Sequence, residues 1–361
     1  MRLSQVVRSG PSQFISEAGA LQYLDEKLSI FEKPVVITGE KSLEAFLKHY
    51  PGELKLPVYH YDGTASNEDM ARLAEEVKGT DCIVGIGGGR LLDTAKGTAD
   101  VLNVDYVTVP TVLGTCAAYT PLSAVYHPDH TFKAVDYYEK AAFLCLMDLN
   151  LLVESPKEYF MGGIADTLAK WYEAEAITRH VEEELTAMVQ VGLKTAKVTQ
   201  EVLLNDTKEA LQSLERGEVT PAFQRVADVV VGVAGTVGGF AGEYGRMAGA
   251  HAVHNGMSLV PETHQYAHGL KVAYGVLVQL TATGDEAEVN RLIPFLKENG
   301  FPYELASFGV LENVEAKMKK IAAFAASNEE TFNLALPGVT KENVLEAIKS
   351  VESLGKELVY S

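Results

Sequence analysis

The stretch CIVGIGGGRLLDTAK, residues 82–96, decides the fold. A β-branched run ends in Gly85, Gly87, Gly88 and Gly89, and a helical stripe of Leu91, Leu92 and Ala95 follows at once. A strand that passes through glycines into a helix lets the backbone approach a pyrophosphate, whose charge then faces the positive helix N-terminus. The spacing departs from the GxGxxG fingerprint, so a tight turn without a ligand is the competing reading. Outward from this turn the same alternation repeats. PVVIT (34–38) and PVYHY (57–61) read as strands before it and YVTVP (106–110) as one after it, with further extended runs at 124–126 and 141–147. The segments between them carry helical stripes, Leu43, Phe46, Leu47 and Tyr50 in one and Met70, Leu73, Ala74 and Val77 in the next. Alternating units of this length predict a parallel sheet with helices on its faces.

The texture changes after Asp148. From Pro156 onward nearly every segment has a helical period, and Pro156 suits a first helical turn, where its missing N–H is no loss. The expected organisation is therefore an α/β domain over residues 1–155 and an all-helical domain over 156–361.

Composition narrows the function. A net charge of −18 argues against nucleic acid and against anionic membranes, both of which ask for a basic face. Three cysteines (Cys82, Cys116, Cys145) are too few for a disulfide framework, which fits a reducing, cytoplasmic compartment. The N-terminal residues lack a signal-peptide core. The most apolar stretch, VVVGVAGTVGGFAG (229–242), reads as a buried helix too short to span a bilayer.

Three regions carry candidate chemistry besides the glycine turn. His251, His254, His264 and His268 crowd into 251–268, and neutral imidazole is the commonest metal ligand. A histidine-rich surface loop is the plainer alternative. Asp166 stands in a small, apolar helical stretch, GGIADTLAKWYEA (162–174), where a buried carboxylate would need a partner. A metal would serve, and so would Lys170 one turn on. Thr111 and Gly114, in the strand-end segment PTVLGT (110–115), form a weaker second candidate for phosphate contact.

Taken together, GIGGGRLLDTAK, the VPT segment, IADTLAKWYEA and AHAVHNG…HGLKVAYG resemble the iron-containing alcohol dehydrogenase superfamily, and within it the glycerol-dehydrogenase-like branch. The motifs run in the family's order from about residue 35 to 280. The resemblance implies a dehydroquinate synthase-like fold: an α/β N-terminal dinucleotide-binding domain, an all-α C-terminal domain and a catalytic cleft between them. It implies Asp166, His251 and His268 as metal ligands. A fourth ligand histidine of the larger branch is replaced by Lys170, so a three-ligand site is expected, with zinc the usual metal and iron an alternative. Gly88, Gly89 and Asp93 would line the pyrophosphate turn, and Thr111, Thr120, Leu122 and Tyr126 would touch an NAD or NADP cofactor. His254 would act either as a proton relay or as a hydrogen-bonding neighbour of a ligand. Homo-oligomers are the family's tendency, and the partner is a small alcohol or carbonyl substrate.

Three departures qualify the resemblance. Cys116 stands where glycerol-using members carry a substrate-contacting Asp. Two like charges at ~4 Å in an effective dielectric near 20 repel by roughly 4 kcal/mol, so an uncharged residue here tolerates a substrate carboxylate. CAAYTPLS (116–123) is in fact similar to a hydroxycarboxylate-dehydrogenase subgroup, which favours a 2-hydroxy or 2-oxo acid slightly over glycerol. Gly39 ends the first strand where NAD-preferring relatives often place an Asp; Glu40 is a substitute, and Lys41 would suit a 2′-phosphate. Ala165 replaces a glycine, without expected effect. Two rival readings are a dehydroquinate synthase-like lyase, for which Lys170 and Arg246 offer few cations, and a nucleotide-binding protein without turnover.

Overall fold

The computed structural model describes residues 6–357. They form two compact units. One is the α/β unit, Arg8–Phe160 together with Glu209–Gly239; the other is helical and comprises residues 6–7, Met161–Lys208 and 240–357. A single cut near residue 155 therefore does not describe the packing, because the segment from Glu209 to Gly239 packs with the α/β unit.

The α/β unit is built on a six-stranded parallel sheet. Its strands are β1 (Gln13–Glu17), β2 (Pro34–Thr38), β3 (Val58–His60), β4 (Cys82–Gly87), β5 (Asp105–Pro110) and β8 (Leu144–Asp148), in the order β1-β8-β5-β4-β2-β3. β6 (Leu122–Tyr126) and β7 (Phe132–Tyr137) form a separate antiparallel hairpin with an irregularity at Val125/Tyr126. β4 is buried at every residue, as a central parallel strand covered on both faces must be. Alternate side chains serve different layers: Val36, Val84 and Val107 pack with Phe46 and Leu24, whereas Val35, Ile37 and Ile83 pack with Leu73 and Ala95.

Two strands escape the sequence reading. β1 (QFISE) is an edge strand with few apolar residues, and its register comes from parallel pairing with β8, Gln13 opposite Leu144. β7 is largely exposed and is defined by its partner β6.

The apolar stretch also needs correction. It lies within a continuous helical run, Pro221–Gly245, whose 25 residues are long enough to cross a membrane, contrary to the expected length. Most of it is buried inside the protein, including Val229, Val230, Val231 and Val237, so its apolarity is accounted for by packing.

The sheet order itself locates a binding crevice. The chain leaves β2 for β3 on one side, and leaves β4 for β5 on the other. Neighbouring strands whose connections diverge leave a gap at their carboxyl ends, where ligands of open α/β sheets bind. The residues at those two ends are Gly39 and the triplet Gly87–Gly89.

Candidate active site

In the α/β unit the glycine turn is placed as a phosphate cradle requires. Gly88 is the N-cap of the helix Gly89–Leu102 and, as a glycine, offers the first turn's N–H groups no capping side chain. The Thr111 N–H donates to the Gly87 carbonyl at 3.1 Å, which ties the end of β5 to the turn. Gly114 lies against Tyr159, and Tyr126 receives the Arg90 guanidinium 4.6 Å above its ring. Gly39 has the Tyr61 ring beside it, while Glu40 and Lys41 are both exposed.

Asp93 is placed differently from a residue lining the turn. Its carboxylate faces inward and is held by Lys96 Nζ at 2.8 Å and by the Ala124 N–H at 3.2 Å. Burial pushes the Asp93 carboxyl up, and the Lys96 ammonium opposes it. Lys96, given no role in the sequence reading, is 1% exposed and also donates to the carbonyls of Ala117, Thr120 and Leu122. The pair therefore anchors the loop that carries Cys116 and Thr120. The Thr120 hydroxyl in turn donates to the Cys116 carbonyl at 3.3 Å.

In the helical unit three segments far apart in sequence converge. Asp166 lies on the helix Lys157–Thr178, His251 and His254 on Gly249–Met257, and His268 begins the helix His268–Ala282. Backbone contact brings these helices this close. A Cβ on Gly275 would stand 2.2 Å from the Ala250 carbonyl oxygen, so the two histidine helices touch where only glycine fits.

The ligand-type atoms of Asp166, His251 and His268 all lie within 4.8 Å of one another. Asp166 Oδ1 is 3.4 Å from His251 Nε2 and 3.2 Å from His268 Nε2. Zinc–ligand bonds of about 2.0–2.2 Å at tetrahedral angles place neighbouring ligand atoms ~3.3 Å apart, so these separations match two edges of a metal tetrahedron. The same Oδ1 is buried and has no hydrogen-bond partner among the described residues, the condition of an atom left for a cation. Asp166 faces the two imidazoles. The donor set, one carboxylate and two imidazoles, fits zinc or iron.

The electrostatics follow from these contacts. Burial alone would raise the Asp166 carboxyl, but His251 and His268 hold it well below the usual range. Burial would lower the His251 pKa, yet the carboxylates of Glu173 and Asp166 outweigh it and push it up to about 10. His254 is driven down to about 2 by burial and by the charges of His268, Lys271 and His251. Its Nε2 lies 3.1 Å from His268 Nδ1, which makes it a direct hydrogen-bonding neighbour of that residue.

Glu173 is the residue that sequence reasoning passed over. It is 0% exposed and sits two helical turns after Asp166, on the same face. Its carboxylate accepts the backbone N–H groups of Ala248 (2.7 Å) and His251 (3.0 Å), and it meets His251 Nδ1 at 2.8 Å. The helix Gly249–Met257 has no capping side chain of its own, so Glu173 supplies the cap from another helix. The available signal was the seven-residue spacing of two acids within an apolar helix.

The family model described as iron-containing alcohol dehydrogenase matches residues 11–148. Hydroxycarboxylate dehydrogenase A of Escherichia coli K12 is 35% identical, covering 95% of this chain and 96% of the relative. The chain belongs to the iron-containing alcohol dehydrogenase family. Membership makes it an oxidoreductase of alcohol groups. A glycerol dehydrogenase of Thermotoga maritima is 32% identical over 96% of each chain. Among solved structures, a probable glycerol dehydrogenase from Sinorhizobium meliloti 1021 superposes with a TM-score of 0.83 at 25% identity, covering 98% of this chain and 99% of that one.

Proposed function

We propose that this family member is a metal-dependent, nicotinamide-dinucleotide oxidoreductase that interconverts a small 2-hydroxycarboxylate and its 2-oxo acid. The observation that carries the reading is the convergence of Asp166, His251 and His268 at tetrahedral edge distances around an orphaned carboxylate oxygen. A divalent cation held there, zinc in the first place and iron as the alternative, supplies Lewis-acid polarisation of the substrate oxygen. The dinucleotide would lie with its pyrophosphate on Gly88 and Gly89, against the helix beginning at Gly89, and would contact Thr111, Gly114, Thr120, Leu122 and Tyr126. Bound there, the nicotinamide would supply the hydride exchange, chemistry that belongs to the cofactor.

The protein's share is orientation. Asp166 supplies the negative charge of the ligand set, and Glu173 and His254 back the two imidazoles. Lys96 and Asp93 hold the 117–122 loop, and Cys116 leaves its position uncharged, which favours a carboxylate substrate. The likeness to a hydroxycarboxylate dehydrogenase over nearly the full length supports the acid. The likeness to glycerol dehydrogenases supports a second reading, glycerol and dihydroxyacetone with NAD.

An absorbance assay of NADH and NADPH oxidation separates them, run on dihydroxyacetone and a series of 2-oxo acids, with and without chelator. The expected result is faster turnover of a 2-oxo acid and loss of activity on chelation. Preference for dihydroxyacetone replaces the acid reading by the second one. Full activity after rigorous demetallation ends the metal reading.

A further inference from the structure

We propose that two carboxylates outside the ligand set, Glu173 and Glu330, fix Nδ1 as the protonated nitrogen of both imidazoles in their neutral, metal-binding form, so that each turns the lone pair of Nε2 toward Asp166. The inference rests on the metal reading above and names the residues that prepare the site for it.

His251 is held by Glu173 directly. Glu173 is an acceptor when ionised, and both of its oxygens are engaged by the helix that carries His251: one by the backbone N–H groups of Ala248 and His251, the other facing Nδ1 at 2.8 Å. The imidazole must therefore donate from Nδ1. In its neutral form its lone pair is then on Nε2, the atom 3.4 Å from Asp166. The ring spans two carboxylates two turns apart on one helix, with a donor at one end and a lone pair at the other.

For His268 the same result is reached through a chain. Asn255 Nδ2 lies 3.1 Å from each oxygen of Glu330. A carboxylate accepts, so the amide donates there and its Oδ1 is the acceptor left over. That Oδ1 is 2.9 Å from His254 Nδ1, which must carry the proton. With its one proton on Nδ1, the neutral form of His254 has a lone pair on Nε2, which accepts from His268 Nδ1, 3.1 Å away. His268 Nε2 is left free of a proton, 3.2 Å from Asp166. Every link points one way because Glu330, at its end, accepts. Imidazole ligands whose other nitrogen donates to a fixed acceptor are oriented and made more basic, and loss of such a partner costs about 10–100-fold in metal affinity. Glu173 and Glu330 are positioning residues in this sense.

The test is zinc affinity by chelator competition on the full chain, for wild type, E173Q, E330Q and, as the reference for a lost ligand, D166N. In E173Q the two backbone N–H groups hold the amide oxygen. The amide NH2 then faces Nδ1 and drives the proton to Nε2. The expected loss is about 10–100-fold in E173Q, smaller in E330Q, where Asn255 gains freedom to turn over, with circular dichroism and the melting of the metal-free proteins little changed. Wild-type affinity in E173Q overturns this inference and leaves the metal reading standing; a wild type that binds no zinc removes both. Should E173Q fail to fold, wild type loaded with 113Cd and labelled with 15N-histidine decides. Cadmium coupling to Nε2 of His251 and His268, with protons on both Nδ1 atoms, is expected. Coupling to either Nδ1 overturns the inference.

Discussion

Gly269 lies so close to Gly162 that a Cβ on it would stand 1.9 Å from the Gly162 carbonyl oxygen and 2.9 Å from the Asp166 backbone nitrogen. The two helices meet backbone to backbone one residue beyond His268. Gly269→Ala must therefore push His268 away from Asp166. The expected outcome is a loss of about 1–3 kcal/mol in stability, with zinc affinity reduced at least tenfold, read by thermal melting and chelator competition. Gly238→Ala is the contrast, because a Cβ there meets nothing within 4 Å inside the helix Ala234–Ala241. It should be neutral or stabilising by up to about 1 kcal/mol.

Lys96 and Asp93 give a second test. Lys96→Met leaves the Asp93 carboxylate buried without its cation, and breaking a buried pair from one side costs about 3–5 kcal/mol. The variant should melt markedly lower and bind dinucleotide more weakly, since the carbonyls of Ala117, Thr120 and Leu122 lose their donor. Adding Asp93→Asn should recover part of the stability; a double variant no more stable than Lys96→Met would contradict the account.

Arg179 and Asp285 predict a pH effect. The guanidinium grips the carboxylate with two bonds of 2.7 and 2.8 Å. Burial would raise the Asp285 carboxyl, but Arg179 and Thr283 outweigh it and hold the pKa below its usual value. A depressed folded-state pKa contributes stability that is present above the unfolded value, near 4, and is lost as pH falls through the folded one. Asp285→Asn should remove about 1 kcal/mol at neutral pH, and its gap from wild type should close below about pH 4 in denaturant titrations.

Cys116 predicts specificity. Cys116→Asp places a negative charge where a substrate carboxylate is tolerated, so kcat/KM for a 2-oxo acid should fall at least tenfold relative to dihydroxyacetone. An unchanged ratio in steady-state assays would place the specificity elsewhere.

The sheet was legible where strands are covered on both faces. PVVIT, CIVGIG and YVTVP are near-continuous apolar runs, with only Thr38 and Thr108 polar among them, because each strand is buried on two sides. QFISE was not legible, because an edge strand with two apolar residues and no alternation is defined by the hydrogen bonds of β8. Asp166, His251 and His268 stood out by motif, and the structure brings their ligand-type atoms together. Glu173 did not stand out. In WYEAEA an acid reads as a solvated helix face, and its burial is visible only once the helix Gly249–Met257 is laid against it.

By itself the amino-acid order determined the alternation of strands and helices, the glycine turn after β4 and the helical character of the second half, because these follow from local periodicity and backbone freedom. Only the tertiary structure decided which charged groups are buried and what faces them. Glu173, Lys96 and Glu330 owe their roles to surfaces contributed from tens of residues away, and no local pattern encodes the far side of such a contact.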